Sequence, residues 1–361
     1  MTNSQVPHLR ILAIDVGGGT QDILLWDSDQ PLENAVKLIL PAPTQIIGRR
    51  IQRLTAARAD ICLTGRLMGG GPVNKAIKQH LAAGLKVYAQ PGPALTLGDN
   101  LDRVKELGIE LVDQPPNGAI PVVLGDIDLA ALSRLWDDFE VSPPKQYALA
   151  VQDHGFSPQL SNRRFRFQHW QAFLRQGGRL SDLAYRSPPS YLTRMAAGLE
   201  ILPSAILMDT CTAGIRGALL DPEAQAHQDN GLLVVNIGNA HTFAALVQQD
   251  RLWGLYEHHT RLLTPAKLAD HLSRFQAGTL SDEEIYQDQG HGCAIDPDYP
   301  ATAPFRFTVI TGPQRRLAEG FPAHFAAPFG DLMLTGCFGL MAAYLELSGL
   351  YHNYGIGRYR L

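Results

Sequence analysis

The stretch ILAIDVGGGTQDILLW, Ile11 to Trp26, decides how this chain folds. Ile11–Val16 is an apolar run interrupted only by Asp15 near its end, which reads as a buried strand. Gly17-Gly18-Gly19-Thr20 supplies a tight turn, and Ile23–Trp26 reads as a second strand. Strand, glycine turn and strand make a hairpin. That separates the segment from P-loop and dinucleotide-binding turns, in which a helix follows the glycines. Glycines let backbone approach a phosphate closely, and successive N–H groups can form an anion-binding nest. Thr20 adds a hydroxyl, and Asp15 at the strand end is placed to hold a hydrated Mg²⁺. Taken alone, the segment is equally an ordinary glycine hairpin with a capping Asp.

A second stretch repeats the arrangement. LLVVNIGNAHTF, Leu232 to Phe243, is an apolar strand, a polar end residue (Asn236), a glycine turn (Gly238, Asn239), then His241, Thr242 and a new strand. Two such hairpins far apart in a chain of 361 residues suggest paired domains, each contributing one phosphate hairpin to a shared cleft. Strands and helices alternate outward from them in an α/β pattern. Strand Tyr147–Gln152 ends in Asp153-His154-Gly155, and strand Ala205–Met208 precedes a small-residue helix at Thr212–Leu220. Thr242–Gln248 and Arg251–Tyr256 complete a three-strand meander. Phe156–Arg186, rich in Arg, Gln and aromatics, reads as a surface insertion, and Asp221–Asn230 as a linker.

In this order the motifs resemble the actin, Hsp70 and sugar-kinase ATPases. Met208-Asp209-Thr210-Cys211-Thr212-Ala213-Gly214 is similar to the small-residue helix before the second hairpin of that superfamily. Ile310-Thr311-Gly312-Pro313 and Leu334–Ala343 resemble its adenosine turn and final helix. The resemblance implies a two-domain actin-like (ribonuclease H-like) ATPase fold with an insertion. The first domain would be residues 1–220, inserted at about 65–200 and completed by a C-terminal helix in 332–361. The second domain would be 221–331.

It also implies ATP and Mg²⁺ as cofactors. Phosphates would be held by Gly17, Gly18, Gly19, Thr20, Asn236, Gly238, Asn239, His241 and Thr242, the nucleoside near Gly312, and metal or water by Asp15 and Asp209. Asp153 would take a proton from an acceptor hydroxyl, as a strand-end Asp does in sugar kinases; a hydrogen-bonded turn is the competing role. Asn236 stands where the superfamily usually has Asp, and Pro313 where the adenosine turn has a second Gly.

Within the superfamily the chain is most similar to a family often labelled pyruvate formate-lyase activating enzyme, through AVQDHG, LTRM, NIGNAHT, YEHHT and GDLMLTG. Such activases resemble radical-SAM enzymes, whose iron–sulfur cluster needs a CxxxCxxC run. The four cysteines, Cys62, Cys211, Cys293 and Cys337, form none, so no iron–sulfur cluster is expected.

Remaining features set the alternatives. Glu257-His258-His259 follows a strand, where adjacent side chains point to opposite faces, so the two histidines do not readily share one metal. A net charge of −4 argues against coating nucleic acid. No apolar run approaches a membrane span, and no leader is read at the N-terminus, so a cytoplasmic location is expected. The leading expectation is an ATP-dependent kinase or ATPase with a small-molecule acceptor or a partner protein. The alternatives are a slow nucleotide-dependent switch and a hydantoinase-like amidohydrolase, whose opening DVGGGTQD also resembles.

Overall fold

The computed structural model describes residues 7–300 and 305–354. The chain opens with strands β1 (Arg10–Val16), β2 (Thr20–Asp27) and β3 (Val36–Pro41) and helix α1 (Pro43–Ala56). Next come β4 (Ile61–Gly65), α2 (Gly71–Ala82), β5 (Val87–Ala89), α3 (Pro91–Ala94), α4 (Leu101–Glu106), β6 (Ile109–Leu111), β7 (Ile120–Leu124) and α5 (Leu129–Asp138). β8 (Gln146–Val151), α6 (Asn162–Arg175), α7 (Thr193–Ile201), β9 (Ile206–Met208) and α8 (Thr210–Ala218) follow. The last third holds α9 (Pro222–His227), β10 (Leu232–Ile237), β11 (His241–Gln248), β12 (Arg251–His259), α10 (Pro265–Gln276) and α11 (Asp282–Gln287). It ends with β13 (Gly292–Ile295), β14 (Phe307–Thr311), β15 (His324–Phe325) and α12 (Thr335–Leu347).

One strand pattern occurs twice. In the first sheet, ordered β3-β2-β1-β8-β9, β1 to β3 pair antiparallel, and β8 and β9 add in parallel. In the second, ordered β13-β12-β11-β10-β14-β15, β10 to β13 are antiparallel, and β14 and β15 add in parallel. β1 and β10 are the matching central strands. Both are buried on their two faces, which is why they read as continuous apolar runs rather than alternating ones. Leu9, Ile11 and Ala13 pack under α12, while Leu12, Ile14 and Val16 pack with Leu132, Trp136 and Met195.

The helices following the two sheets, α8 and α12, cross at glycines. A Cβ on Gly217 would overlap the Thr335 carbonyl oxygen, and one on Gly339 would overlap that of Ala213. Backbone therefore meets backbone at the crossing, which only glycine permits. From Thr335 to Ala343 α12 is buried on every side, consistent with the small and apolar residues of that stretch.

The expected insertion at about 65–200 spans most of an inserted sheet and one strand of the first sheet. A separate all-parallel sheet, β6-β5-β4-β7, occupies positions 61–124 and packs on α1 and α2. β8, inside the expected insertion, instead extends the first sheet, with β9 beside it. Phe156–Arg186 also differs from its reading as a surface segment. Its helix α6 buries Arg166, Phe167, Trp170 and Leu174, and the apolar three pack on the second sheet. The stretch expected as a linker begins with α9, capped by Asp221 through the Glu223 N–H. Residues 355–361 of the expected C-terminal helix, and 1–6 of the first domain, lie outside the described residues.

Candidate functional site

The two matching hairpins meet. β1 and β2 are joined by a turn in which Gly17 N–H donates to Thr20 O at 2.9 Å, and β10 and β11 by one in which Gly238 N–H donates to His241 O at 2.9 Å. Their tips touch, Gly18 against Ala240 and Gly19 against Asn239. Beside them opens a cleft of about 370 Å³. Of the expected residues, Asp15, Gly17, Gly18, Gly19, Thr20, Asp153, Asn236, Gly238, Asn239, His241 and Gly312 line it. Thr242 is fully buried beneath, its hydroxyl 3.1 Å from that of Thr260. Asp209 lies behind the wall in an ion pair described below.

Asp15 sits at the floor of the cleft. Its strand position faces Asp22 across the β1–β2 ladder, so both side chains leave the same side of the sheet. Gly336, in the first turn of α12, approaches so closely that a Cβ there would overlap Asp15 Oδ2. Burial, then the Asp22 carboxylate, pushes the Asp15 carboxyl well up; the Thr210 hydroxyl pulls the other way. Burial likewise raises Asp22 to about 7. Asp15 Oδ1 and Asp22 Oδ1 are both buried without a hydrogen-bond partner. Two unpaired carboxylate oxygens in one cleft are the donor chemistry a hard cation such as Mg²⁺ takes. Asp22 was not among the expected site residues, although the hairpin register alone places it opposite Asp15.

Behind the cleft, Arg166 ties three elements together. It donates to Asp209 Oδ2 at 2.8 Å and Oδ1 at 3.0 Å, and through Nε to Glu257 Oε2 at 2.7 Å. Asp209 also accepts from the N–H groups of Cys211 at 3.0 Å, capping α8, and of Asp153 at 3.1 Å. Burial alone would raise the Asp209 carboxyl, but Arg166 overrides it and holds it below the usual range. For Glu257, also hydrogen-bonded to Gln152, burial outweighs Arg166 and the carboxyl is raised. Asp153 accepts from Gly155 N–H and Met195 N–H, both at 2.9 Å, so each of its oxygens is occupied in turning the chain after β8.

The structure brings Arg194 to the same wall, a residue without an expected role. It is bidentate to Asp126 at 2.7 and 2.8 Å and donates to Gln152 O at 2.8 Å, joining the inserted sheet to the end of β8. Four histidines gather nearby. His241 and His259 are paired across the β11–β12 ladder, His291 precedes β13, and His154 follows β8. His258 points the opposite way from His259, to Asp288 at 2.9 Å, as alternation along a strand requires. Burial first, then neighbouring imidazoles and guanidinium groups, lowers His241 to about 3 and His259 to about 4. His154 and His291 are pushed well down by the same causes.

Two copies of one five-strand pattern, each with a hairpin at a shared cleft and with crossed helices between them, define the actin-like ATPase fold. Within that class the sequence matches, over residues 68–317, the family described as "Putative pyruvate format-lyase activating enzyme (DUF1786)", and the chain belongs to this family. No curated protein matches it. Similar solved structures include the Aquifex aeolicus PPX-GPPA enzyme, at 12% identity over 85% of this chain and 69% of that one, with a TM-score of 0.30. Ethanolamine utilization protein EutJ from Carboxydothermus hydrogenoformans is 12% identical over 92% of this chain and 89% of that one, with a TM-score of 0.30.

The donor set does not fit the iron–sulfur cluster that the family's description implies. Such a cluster needs several thiolates converging on one point. Cys62 lies in β4, Cys211 in α8, Cys293 in β13 and Cys337 in α12, and the last three belong to different hydrophobic clusters. Among the described residues, no helix is long and apolar enough to cross a membrane.

Proposed function

We propose that the chain binds a nucleoside triphosphate with Mg²⁺ in this cleft and acts as an ATP-dependent phosphotransferase or ATPase. The observation that carries the reading is the unpaired Asp15 Oδ1 at the floor of a cleft between two hairpins with the same turn hydrogen bond. The tip N–H groups of Gly18, Gly19, Asn239 and Ala240 lie outside those turn bonds, and successive amides of this kind suit phosphate oxygens. Gly312, with positive φ beside Asn236 and Ile237, lets the chain turn past the second hairpin, where the nucleoside would sit.

Asp15 and Asp22 would hold the metal. When bound, Mg²⁺ would neutralise charge on the phosphate oxygens. Asn236 is neutral, so the second hairpin would orient phosphate through amides and not through a carboxylate. Catalysis by such a site is positioning and charge stabilisation. The slow-switch alternative rests on the Arg/aromatic segment and on the lack of an unambiguous acceptor site, and burial of Arg166, Phe167 and Trp170 weakens the first of these.

Calorimetric titration of ATP with Mg²⁺ tests the reading. Wild type binds, and Asp15→Asn and Thr20→Ala bind more weakly. Absence of binding to wild type at millimolar nucleotide would overturn it.

A further inference from the structure

We propose that His241, His259 and His291 form a site for a divalent transition metal of the zinc or cobalt class on the wall of the cleft. One ring nitrogen from each lies within 4.8 Å of the others. Ring centroids are 4.9 Å apart for His241 and His259, and 4.8 Å from His291 to each. Ligand nitrogens at about 2.0–2.1 Å from zinc stand about 3.4 Å apart in a tetrahedron. The rings therefore close by about an ångström or a little more, which rotation of the less buried His241 and His259 supplies.

His291 is the second, independent observation. It is 3% exposed, and neither Nδ1 nor Nε2 has a hydrogen-bond partner. A buried imidazole normally satisfies both nitrogens, because leaving them desolvated and unpaired costs free energy. Its Nδ1 lies 3.6 Å from Glu257 Oε1, just beyond hydrogen-bond distance, so a small ring rotation that closes this gap would leave Nε2 for a ligand bond. Carboxylate, imidazole and metal in line is how proteins orient ligating histidines.

Charge agrees. Arg166 carries one positive charge between two buried carboxylates, Asp209 and Glu257, leaving the group one positive charge short. A cation held by neutral imidazoles compensates that surplus.

The donors select the metal. Imidazole nitrogens suit zinc, cobalt and nickel, whereas Mg²⁺ prefers oxygen. This site is thus chemically distinct from the Asp15–Asp22 pair. Three protein ligands with a further position open is the arrangement of catalytic zinc. His241 and His154 line the cleft, so the open position faces the cavity, and the fourth ligand is water, a substrate oxygen or His154.

The test uses the full chain, free of any affinity tag, stripped with a chelator and without nucleotide. Co²⁺ is titrated while its visible d–d absorption is followed, and Zn²⁺ is then added as competitor. Wild type binds one Co²⁺ per chain, displaced by Zn²⁺. His291→Ala and His259→Gln, each checked for folding by circular dichroism, weaken binding by about a hundredfold or more, and Glu257→Gln by about 10–100-fold. Asp15→Asn retains the ion. Absence of uptake by wild type overturns the proposal, as does uptake unchanged in a folded His259→Gln or lost in Asp15→Asn.

Discussion

Asp15 and Asn236 hold the same position in two copies of one strand arrangement. Each is the next-to-last residue of its central strand, paired antiparallel to a hairpin partner on one side (Asp22, Phe243) and parallel to a crossover strand on the other (Ala150, Thr311). A helix glycine presses on each, Gly336 on Asp15 and Gly214 on Asn236. The geometry is repeated but the charge is not. One half of the cleft presents two acids, Asp15 and Asp22, and the other an amide.

That asymmetry predicts where the metal dependence resides. Asp15→Asn should remove the Mg²⁺ enhancement of nucleotide binding and cut turnover by about a hundredfold or more, the scale for removing one charge-stabilising group. It should leave Mg²⁺-free binding nearly unchanged. Asn236→Ala should weaken nucleotide with and without Mg²⁺ alike. Titrations in Mg²⁺ and in EDTA separate the two patterns, and equal loss of Mg²⁺ enhancement in both variants contradicts the assignment.

The α8–α12 crossing makes a stability prediction. Gly217→Ala and Gly339→Ala each insert a methyl where backbone already touches backbone, and each should cost about 1–3 kcal/mol. The two glycines adjoin, so once one methyl has parted the helices the second costs less. Urea unfolding of the single and double variants reads this as a double-variant loss smaller than the sum. Full additivity would mean that the helices do not move apart together.

The hairpins were legible in the sequence because a hairpin is local: an apolar run, glycines and a second run within a few residues. The repeat at Leu232–Phe243 raised a local reading to a fold. The Arg166 network was not legible, since Arg166 is separated from Asp209 by 43 residues and from Glu257 by 91. Composition alone made an Arg-rich helix look exposed. The histidine cluster was hidden by the separation of His154 and His291 from the β11–β12 hairpin and, within that hairpin, by one backbone detail. The tight turn pairs Gln248 with Arg251, and an unbroken ladder from there would bring His241 opposite His258. A bulge at Leu246/Val247 shifts the register, so that His241 faces His259 instead.

Arg166 should be needed for folding as well as for the shape of the cleft. Arg166→Met leaves Asp209 and Glu257 buried without their partner, a change that costs about 3–5 kcal/mol. Arg166→Lys should recover only part of this, because an ammonium cannot serve both carboxylates with the planar fork of a guanidinium. Chemical denaturation should rank wild type above Lys and Lys above Met. Equal stability of Lys and wild type would mean that charge alone, without the fork geometry, holds the three elements.

The base of the first hairpin carries a pH dependence of its own. Arg10 and Asp27 face each other at the open end of β1 and β2, with Arg10 Nε and Nη2 donating to Asp27 Oδ2 at 2.9 and 2.6 Å. Partial burial raises the Asp27 carboxyl. The Asp29 N–H, His8 and Arg10 outweigh it and lower the carboxyl to about 2. An unfolded Asp titrates near about 3.9. Because the folded value is the lower one, the unfolded chain binds the proton more readily, and acid favours unfolding. The contribution is therefore complete above about pH 5 and disappears as pH falls through about 4 to 2. Asp27→Asn should be less stable than wild type at about pH 5, and the margin should close on acidification from there. Parallel urea titrations across that range measure it, and a margin that widened in acid would reverse the assigned sign.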